Sequence, residues 1–268
     1  MGLVKFLPNK NIYQTRVLQS DEGKVNFLKH KKACLGPEQK PYFLAKNSTL
    51  NIDHVLSHLS DIIHPNQNLL LSPEAITKSI QEDWVIHCQQ SQTNWAELIS
   101  VCFPNGWSAN QMIGKSFDEI HTKVPNIKKI VNGNQTQRMI QAIIKSKYYF
   151  ERIGAISFNT SPNLIRHPSF KDPRPLLEDP IRELYIRFER QVCKGFDHVG
   201  TDRDSPPGFL FLIKTYCLNI KKLNRYQLKC VRRTINENEK TLYYHRWIAE
   251  HQEQLSRWID RLINLSVS

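Results

Sequence analysis

Two long runs near the C-terminal end constrain this chain most: "YIRFERQVCKGF" at residues 185–196 and "GFLFLIKTYCLNI" at 208–220. Both are rich in β-branched and aromatic residues, and the polar, turn-forming stretch "DHVGTDRDSPP" joins them, so they read as a pair of strands. A second pair, "DWVIHCQQ" and "WAELISVCFP", is separated by the turn-like "SQTN" and reads as a hairpin. "ERIGAISFNT" completes a set of five strand-like runs. With helical segments between them, these runs predict an α+β domain: one mainly antiparallel five-stranded sheet covered on one side by helices.

The helical signals are local and specific. "NIDHVLSHLSDIIH" puts Ile52, Val55, Leu59, Ile62 and Ile63 on one face, with Asn51 or Asp53 placed to cap its start. "SPEAITKSIQED" opens with Ser72 as N-cap and Pro73 at the first helical position. Further helices are predicted in "NQMIGKSFDEIHTKVP", in "QTQRMIQAIIKSKYYF" and in two C-terminal segments. The second of those carries Trp247, Ile248, His251, Leu255, Trp258, Ile259 and Leu262 along one stripe. Residues 1–50 hold no period for long and read as an irregular wrap. The proline-studded "SPNLIRHPSFKDPRPLLEDP" reads as a long irregular loop, either functional or disordered. The expected organisation is one domain over 1–268, with 1–50 as the wrap and 221–268 as C-terminal helices.

Composition narrows the function classes. Lys and Arg exceed Asp and Glu by 12 across 268 residues, which favours anionic partners: nucleic acid, an acidic protein or an anionic cofactor. The six cysteines never fall at a C-x-x-C spacing, which speaks for reduced, buried thiols over a zinc ribbon or redox pair. No signal-peptide core or membrane-length apolar run is visible, so a soluble cytoplasmic protein is expected. No Gly-rich phosphate loop, zinc spacing or G-x-S-x-G elbow offers a rival enzyme class.

The first strand of the C-terminal pair poses a problem of charge. In period-two geometry Arg187, Glu189 and Gln191 share one face, while Phe188, Arg190 and Val192 share the other. An exposed polar sheet face is one reading. A buried anion or carboxylate held by arginine forks is the other.

Several segments resemble the family of haem-dependent oxidative N-demethylases, whose catalytic subunits hold haem b on a PAS-like sheet. The resemblance is carried by "SVCFPNGWSANQMIGKSFDEIHTKVP" at 100–125, "RFERQ" at 187–191 and "FLFLIKTY" at 209–216, with "IQEDWVIH" at 80–87 as a weaker lead-in. The specific pieces are FP-x-GW, G-K-x-F-x-x-IH-x-x-VP and R-x-ERQ. The resemblance implies an O2-dependent oxidation of an N-methyl group on a small amine, releasing formaldehyde.

It also implies roles for particular residues. His121, inside the family motif, is the expected axial ligand of the haem iron, with His167 in the proline-rich loop as the alternative. Arg187 and Arg190 are expected to pair with the haem propionates. Glu189 is expected to meet a cationic amine, Thr215 to hydrogen-bond bound oxygen, and Tyr216 or Trp107 to supply an aromatic wall. The chain carries no flavin motif or iron–sulfur cysteine cluster, so electrons are expected from a separate flavin or iron–sulfur reductase. The basic helix with Lys222, Arg225, Lys229, Arg232 and Arg233 reads as a solvated face, with a landing site for an acidic reductase as the alternative. Two other classes stay open: a PAS-like haem sensor without turnover, and a basic nucleic-acid-binding module, for which the sequence supplies charge without a binding motif. Assembly into a homo-oligomer is also left open.

Overall fold

A computed structural model of the protein describes residues 7–9, 17–18, 28–29, 31–32, 42–46, 48, 50–104, 107–122, 133–159, 164, 184–237 and 252–265. Seven strands form one sheet: β1 (Leu7–Asn9), β2 (Phe43–Leu44), β3 (Asp83–Gln90), β4 (Thr93–Ser100), β5 (Tyr149–Asn159), β6 (Tyr185–Phe196) and β7 (Gly208–Asn219). Their order is β1-β5-β6-β7-β3-β4-β2, and each neighbouring pair is antiparallel.

The five long strands are the expected ones, and their order β5-β6-β7-β3-β4 is consistent with the PAS-like sheet that the resemblance implies. The sheet is two strands wider than expected, because β1 and β2 come from the stretch read as an irregular wrap. At three and two residues they are too short to show an alternating pattern. The open edges of β5 and β4 select them.

Seven helices are present among the described residues: α1 (Asp53–Ile63), α2 (Pro73–Ser79), α3 (Ala109–Met112), α4 (Phe117–His121), α5 (Gly133–Ile144), α6 (Arg225–Glu237) and α7 (Gln252–Leu265). They cover both faces of the sheet, not one. The reason lies in the central strands. β3 and β7 are buried along most of their length on both faces, and an apolar face without cover would cost about 25 cal/mol per Å².

On one face α1 and α2 pack over Trp84, Ile86, Leu98, Leu210 and Leu212. Farther along that face α6 and α7 cover Phe158 and Ile186 through Leu228, Leu255 and Ile259. The tryptophan stripe of the last helix thus packs within the domain through Leu255, Trp258, Ile259 and Leu262, while Trp247, Ile248 and His251 lie outside the described residues. On the opposite face α3, α4 and α5 pack over Val85, Ile99, Cys193, Phe209 and Phe211.

Local chemistry fixes the helices that matter for the site. Ser72 caps α2 by accepting from the Ala75 N–H at 3.2 Å. The single helix expected over 110–125 is two, because Gly114 takes a φ of +76° that breaks it. The Gly114 and Lys115 backbone is tied there to Ala96 by two hydrogen bonds of 2.9 Å. α4 then restarts with a reciprocal cap, Ser116 bonding the Glu119 N–H and Glu119 reaching back to the Ser116 N–H. α5 lies close against β6 because residue 195 is glycine: a Cβ there would stand 2.1 Å from the Ile143 carbonyl oxygen.

Candidate functional site

The alternation read from "RFERQ" holds, and the strand register extends it across the sheet. Arg152, Gln191 and Ile213 form one row; Gly154, Glu189 and Thr215 the next; Ser157, Arg187 and Cys217 the third. All lie on the face that α3, α4 and α5 cover. Beside these polar rows Val85, Phe209 and Phe211 of β3 and β7 form an apolar floor already covered by α3, α4 and α5.

Arg187 is fully buried. Its two terminal nitrogens donate to the carbonyls of Phe103 at 2.6 Å and Leu164 at 2.9 Å, with Thr215 Oγ1 at 3.5 Å. Among the described residues none of its hydrogen bonds ends on a carboxylate, and Nε has no partner. Desolvation accordingly lowers its pKa, with Glu189 opposing.

Glu189 is half-buried and accepts from Gln191 Nε2 at 2.8 Å, while Arg152 Nε donates to the other end of the same amide at 2.5 Å. Burial raises the Glu189 pKa, and the Arg187 charge and the Gln191 bond hold it back.

Arg187 is positioned by a second cluster. Asp83 accepts from the Cys102 N–H at 3.0 Å and the Phe103 N–H at 2.8 Å, which fixes the loop whose Phe103 carbonyl receives Arg187. Lys31, itself fully buried, lies 3.3 Å from the Asp83 carboxylate.

His121 ends α4, where its ring stacks on Phe117 at 4.1 Å between centroids. Its Nδ1 lies 2.6 Å from the Phe117 carbonyl oxygen. A carbonyl only accepts, so Nδ1 carries the proton and Nε2 keeps its lone pair. Among the described residues Nε2 takes no hydrogen bond. Burial lowers the His121 pKa, the Phe117 carbonyl opposes this, and Arg152 reinforces it. A second imidazole, His87, stacks on Phe209 at 4.8 Å and is held by burial at a pKa of about 3.

The structure brings Arg187, Glu189 and Thr215 together and leaves two expected residues elsewhere. Arg190 points to the opposite face, pairing with Glu151 at 2.5 Å and donating to the Val17 carbonyl at 2.9 Å, so the two arginines do not converge. Tyr216 is on that opposite face too, stacked on Phe188 at 4.9 Å. Trp107 is half-buried against the α3–α5 cluster. His167 lies outside the described residues.

On the basic helix, Lys222, Arg225, Lys229 and Arg233 are exposed, and Arg232 bonds Asp260. Sequence reasoning missed Asp83, Lys31 and Arg152. The first sits inside the quoted "IQEDWVIH" block, but only the fold shows a charge facing the loop after β4. An open groove of about 1530 Å³ lies beside the β3–β4 turn, lined by Gln89, Trp95 and Glu97 among others, and contains none of these residues.

Fold and face together define an α+β domain whose covered sheet face carries a buried guanidinium with no carboxylate among its hydrogen-bond partners and two imidazoles, His87 and His121, each with an unbonded ring nitrogen among the described residues. The profile of the haem-dependent oxidative N-demethylase, alpha subunit-like family matches residues 42–256, and the chain belongs to that family. No individually curated protein matches it. Family membership indicates haem dependence and an oxidoreductase activity of the N-demethylase type, and the alpha-subunit designation implies a partner subunit or oxidoreductase component.

Two side chains fit parts of a haem: an imidazole fixed by a carbonyl on its other nitrogen suits the iron, and a buried arginine whose hydrogen bonds end on carbonyls suits a propionate, while Val85, Phe209 and Phe211 are already packed beneath α3, α4 and α5. Among the described residues no three His, Cys, Asp or Glu side chains gather into a metal-binding cluster. No helix there is long and apolar enough to cross a membrane.

Proposed function

We propose that this chain is the haem-binding catalytic subunit of an oxygenase that demethylates a small amine. His121 would hold the haem iron, and the observation that carries the reading is its fixed tautomer: Nδ1 is committed to the Phe117 carbonyl, which orients the ring and leaves Nε2 for the metal. Bound haem b supplies the O2 chemistry that, with two electrons and two protons, converts an N-methyl group to a carbinolamine that releases formaldehyde and the demethylated amine.

The chain's own residues do the rest. Arg187 would neutralise an anionic edge of the cofactor, and its bonds to Phe103 and Leu164 hold the guanidinium there without a hydrogen bond to a protein carboxylate. Glu189, kept in place by Gln191, faces the same side and supplies a carboxylate for an alkylammonium group. Burial raises its pKa, and a cationic group beside it would act with Arg187 and Arg152 to favour the charged form. Thr215, one strand away in the same row, would offer its hydroxyl as a hydrogen-bond donor on the side where the cofactor supplies its O2 chemistry. Arg190 and Tyr216 lie on the far face, where Arg190 ties Glu151 of the neighbouring strand to the Val17 carbonyl and Tyr216 stacks on Phe188. Electrons come from a separate flavin or iron–sulfur reductase, for which the exposed basic residues of α6 and its N-terminal flank provide a complementary surface.

The test is the absorption spectrum of protein from haem-sufficient cells, with and without His121→Ala, followed by dimethylamine titration and formaldehyde assay. A Soret band that weakens in the variant and shifts with amine, with formaldehyde formed under reducing conditions, is the expected result. Haem uptake with an amine response but no substrate-dependent O2 consumption would make the chain a sensor. Failure of the wild-type chain to take up haem would overturn the reading.

A further inference from the structure

Two buried polar atoms without partners lie in the same cross-strand row. Arg187 Nε and Ser157 Oγ each lack a hydrogen bond among the described residues, and the residues are 0% and 4% exposed. Ser157 is the register partner of Arg187. Directly opposed residues on antiparallel strands have Cβ atoms about 4.5–5.5 Å apart on the same face. A bulge between Gly154 and Ser157 produces this alignment, restoring the register after an extra residue in β5.

Burying either atom unpaired is costly, and the arginine's hydrogen bonds end on neutral carbonyls and a hydroxyl, with Glu189 and Asp83 acting on it through space without a bond. We propose that Ser157 Oγ and Arg187 Nε form a two-donor seat for one ligand carboxylate, each donating to one of its oxygens. Planar bidentate geometry and a single negative charge satisfy both deficits at once. Glu189 does not fill the seat: it occupies the next row, where Gln191 holds it.

The carboxylate has two possible sources, a haem propionate or an acid group on the amine substrate. The first source rests on the haem reading above, and the second extends it to N-methylated amino acids. Apo-protein is titrated with haemin and with haemin dimethyl ester, whose propionates are blocked, and the holoprotein with sarcosine and with dimethylamine, each followed by the Soret band. Ser157→Ala is compared with wild type, and Ser157→Thr serves as the variant that keeps a hydroxyl.

If the seat holds a propionate, Ser157→Ala weakens haemin binding about tenfold, leaves the diester unchanged, and Ser157→Thr restores affinity. If it holds a substrate acid, haemin binding is unchanged while the sarcosine response weakens about tenfold and the dimethylamine response does not. No change in either arm overturns the proposal. Should the wild-type chain bind no haem, the haem reading fails by itself. The seat is then read by thermal unfolding in sodium propionate: stabilisation of wild type but not of Ser157→Ala upholds it, and equal responses overturn it.

Discussion

Asp83→Asn is the substitution whose cost can be worked out most fully. The carboxylate accepts two backbone N–H groups, at 3.0 and 2.8 Å, and stands 3.3 Å from the Lys31 ammonium in a cluster where both residues are essentially inaccessible. An asparagine keeps the shape but turns its amide nitrogen toward one of the two N–H donors, losing a hydrogen bond to a charged group worth about 1.5–3 kcal/mol. It also leaves Lys31 buried without its counter-ion, for which breaking a buried pair costs about 3–5 kcal/mol. The two losses overlap, so a fall of about 4–5 kcal/mol is expected for the single variant.

Lys31→Met is milder, at about 1–3 kcal/mol, because Asp83 keeps both N–H donors. In the double variant the stranded ammonium is gone, so its cost falls short of the sum by about 2–3 kcal/mol. Urea unfolding of the four proteins, with midpoints and slopes fitted together, measures that coupling. Additivity to within about 0.5 kcal/mol would refute the argument, since it would mean that the pair does not interact in the folded protein.

Other outcomes follow from packing and titration. Gly195→Ala drives a methyl group into the Ile143 carbonyl, so α5 must retreat by about 1 Å and stability should fall by about 3 kcal/mol or more in the same urea assay. A loss under about 0.5 kcal/mol would show that the helix yields freely. His58 bonds the Tyr149 hydroxyl at 2.9 Å, and its pKa is lowered by burial, then by Lys194, to about 4. Between pH 6.5 and 4 the unfolded chain therefore binds a proton that the folded one refuses. Stability from this group is complete above the unfolded value and lost as pH falls toward the folded one, by about 1–3 kcal/mol. His58→Gln should flatten that part of the stability profile, and an unchanged acid slope would contradict the assignment.

The long strands and the cap of α2 were legible because their signals are local: alternation, a two-residue turn, a serine before a proline. The facing of Arg187 and Glu189 was legible for the same reason, since parity within one strand needs no knowledge of its neighbours. Thr215 could be joined to Glu189, and Tyr216 separated from it, only once the β6–β7 register was fixed, and a slip of one residue exchanges the two. Ser157 was hidden by the bulge, which breaks period-two counting just before it. Lys31 and Asp83 were hidden by distance along the chain: each looks like an ordinary surface charge until 51 intervening residues fold back to bring the segments together. The split between α3 and α4 turns on one glycine in a left-handed conformation, which "MIGKSF" permits but does not require.

The two edge strands have a consequence for how the chain is made. Leu7 pairs with Glu151, and Arg190 reaches the Val17 carbonyl across 173 positions of sequence. On a ribosome adding about 5–20 residues per second, the segment around Leu7 waits about 7–30 s before β5 exists to receive it. The β3–β4 and β6–β7 hairpins can close as soon as they emerge, whereas the sheet's outer margin is sealed last, after the largest loops have been gathered in. During that interval the Leu7 segment has no partner strand and is open to pairing with any other, so expression at low temperature, or a chaperone that holds the segment, should decide how much of the chain reaches its folded form.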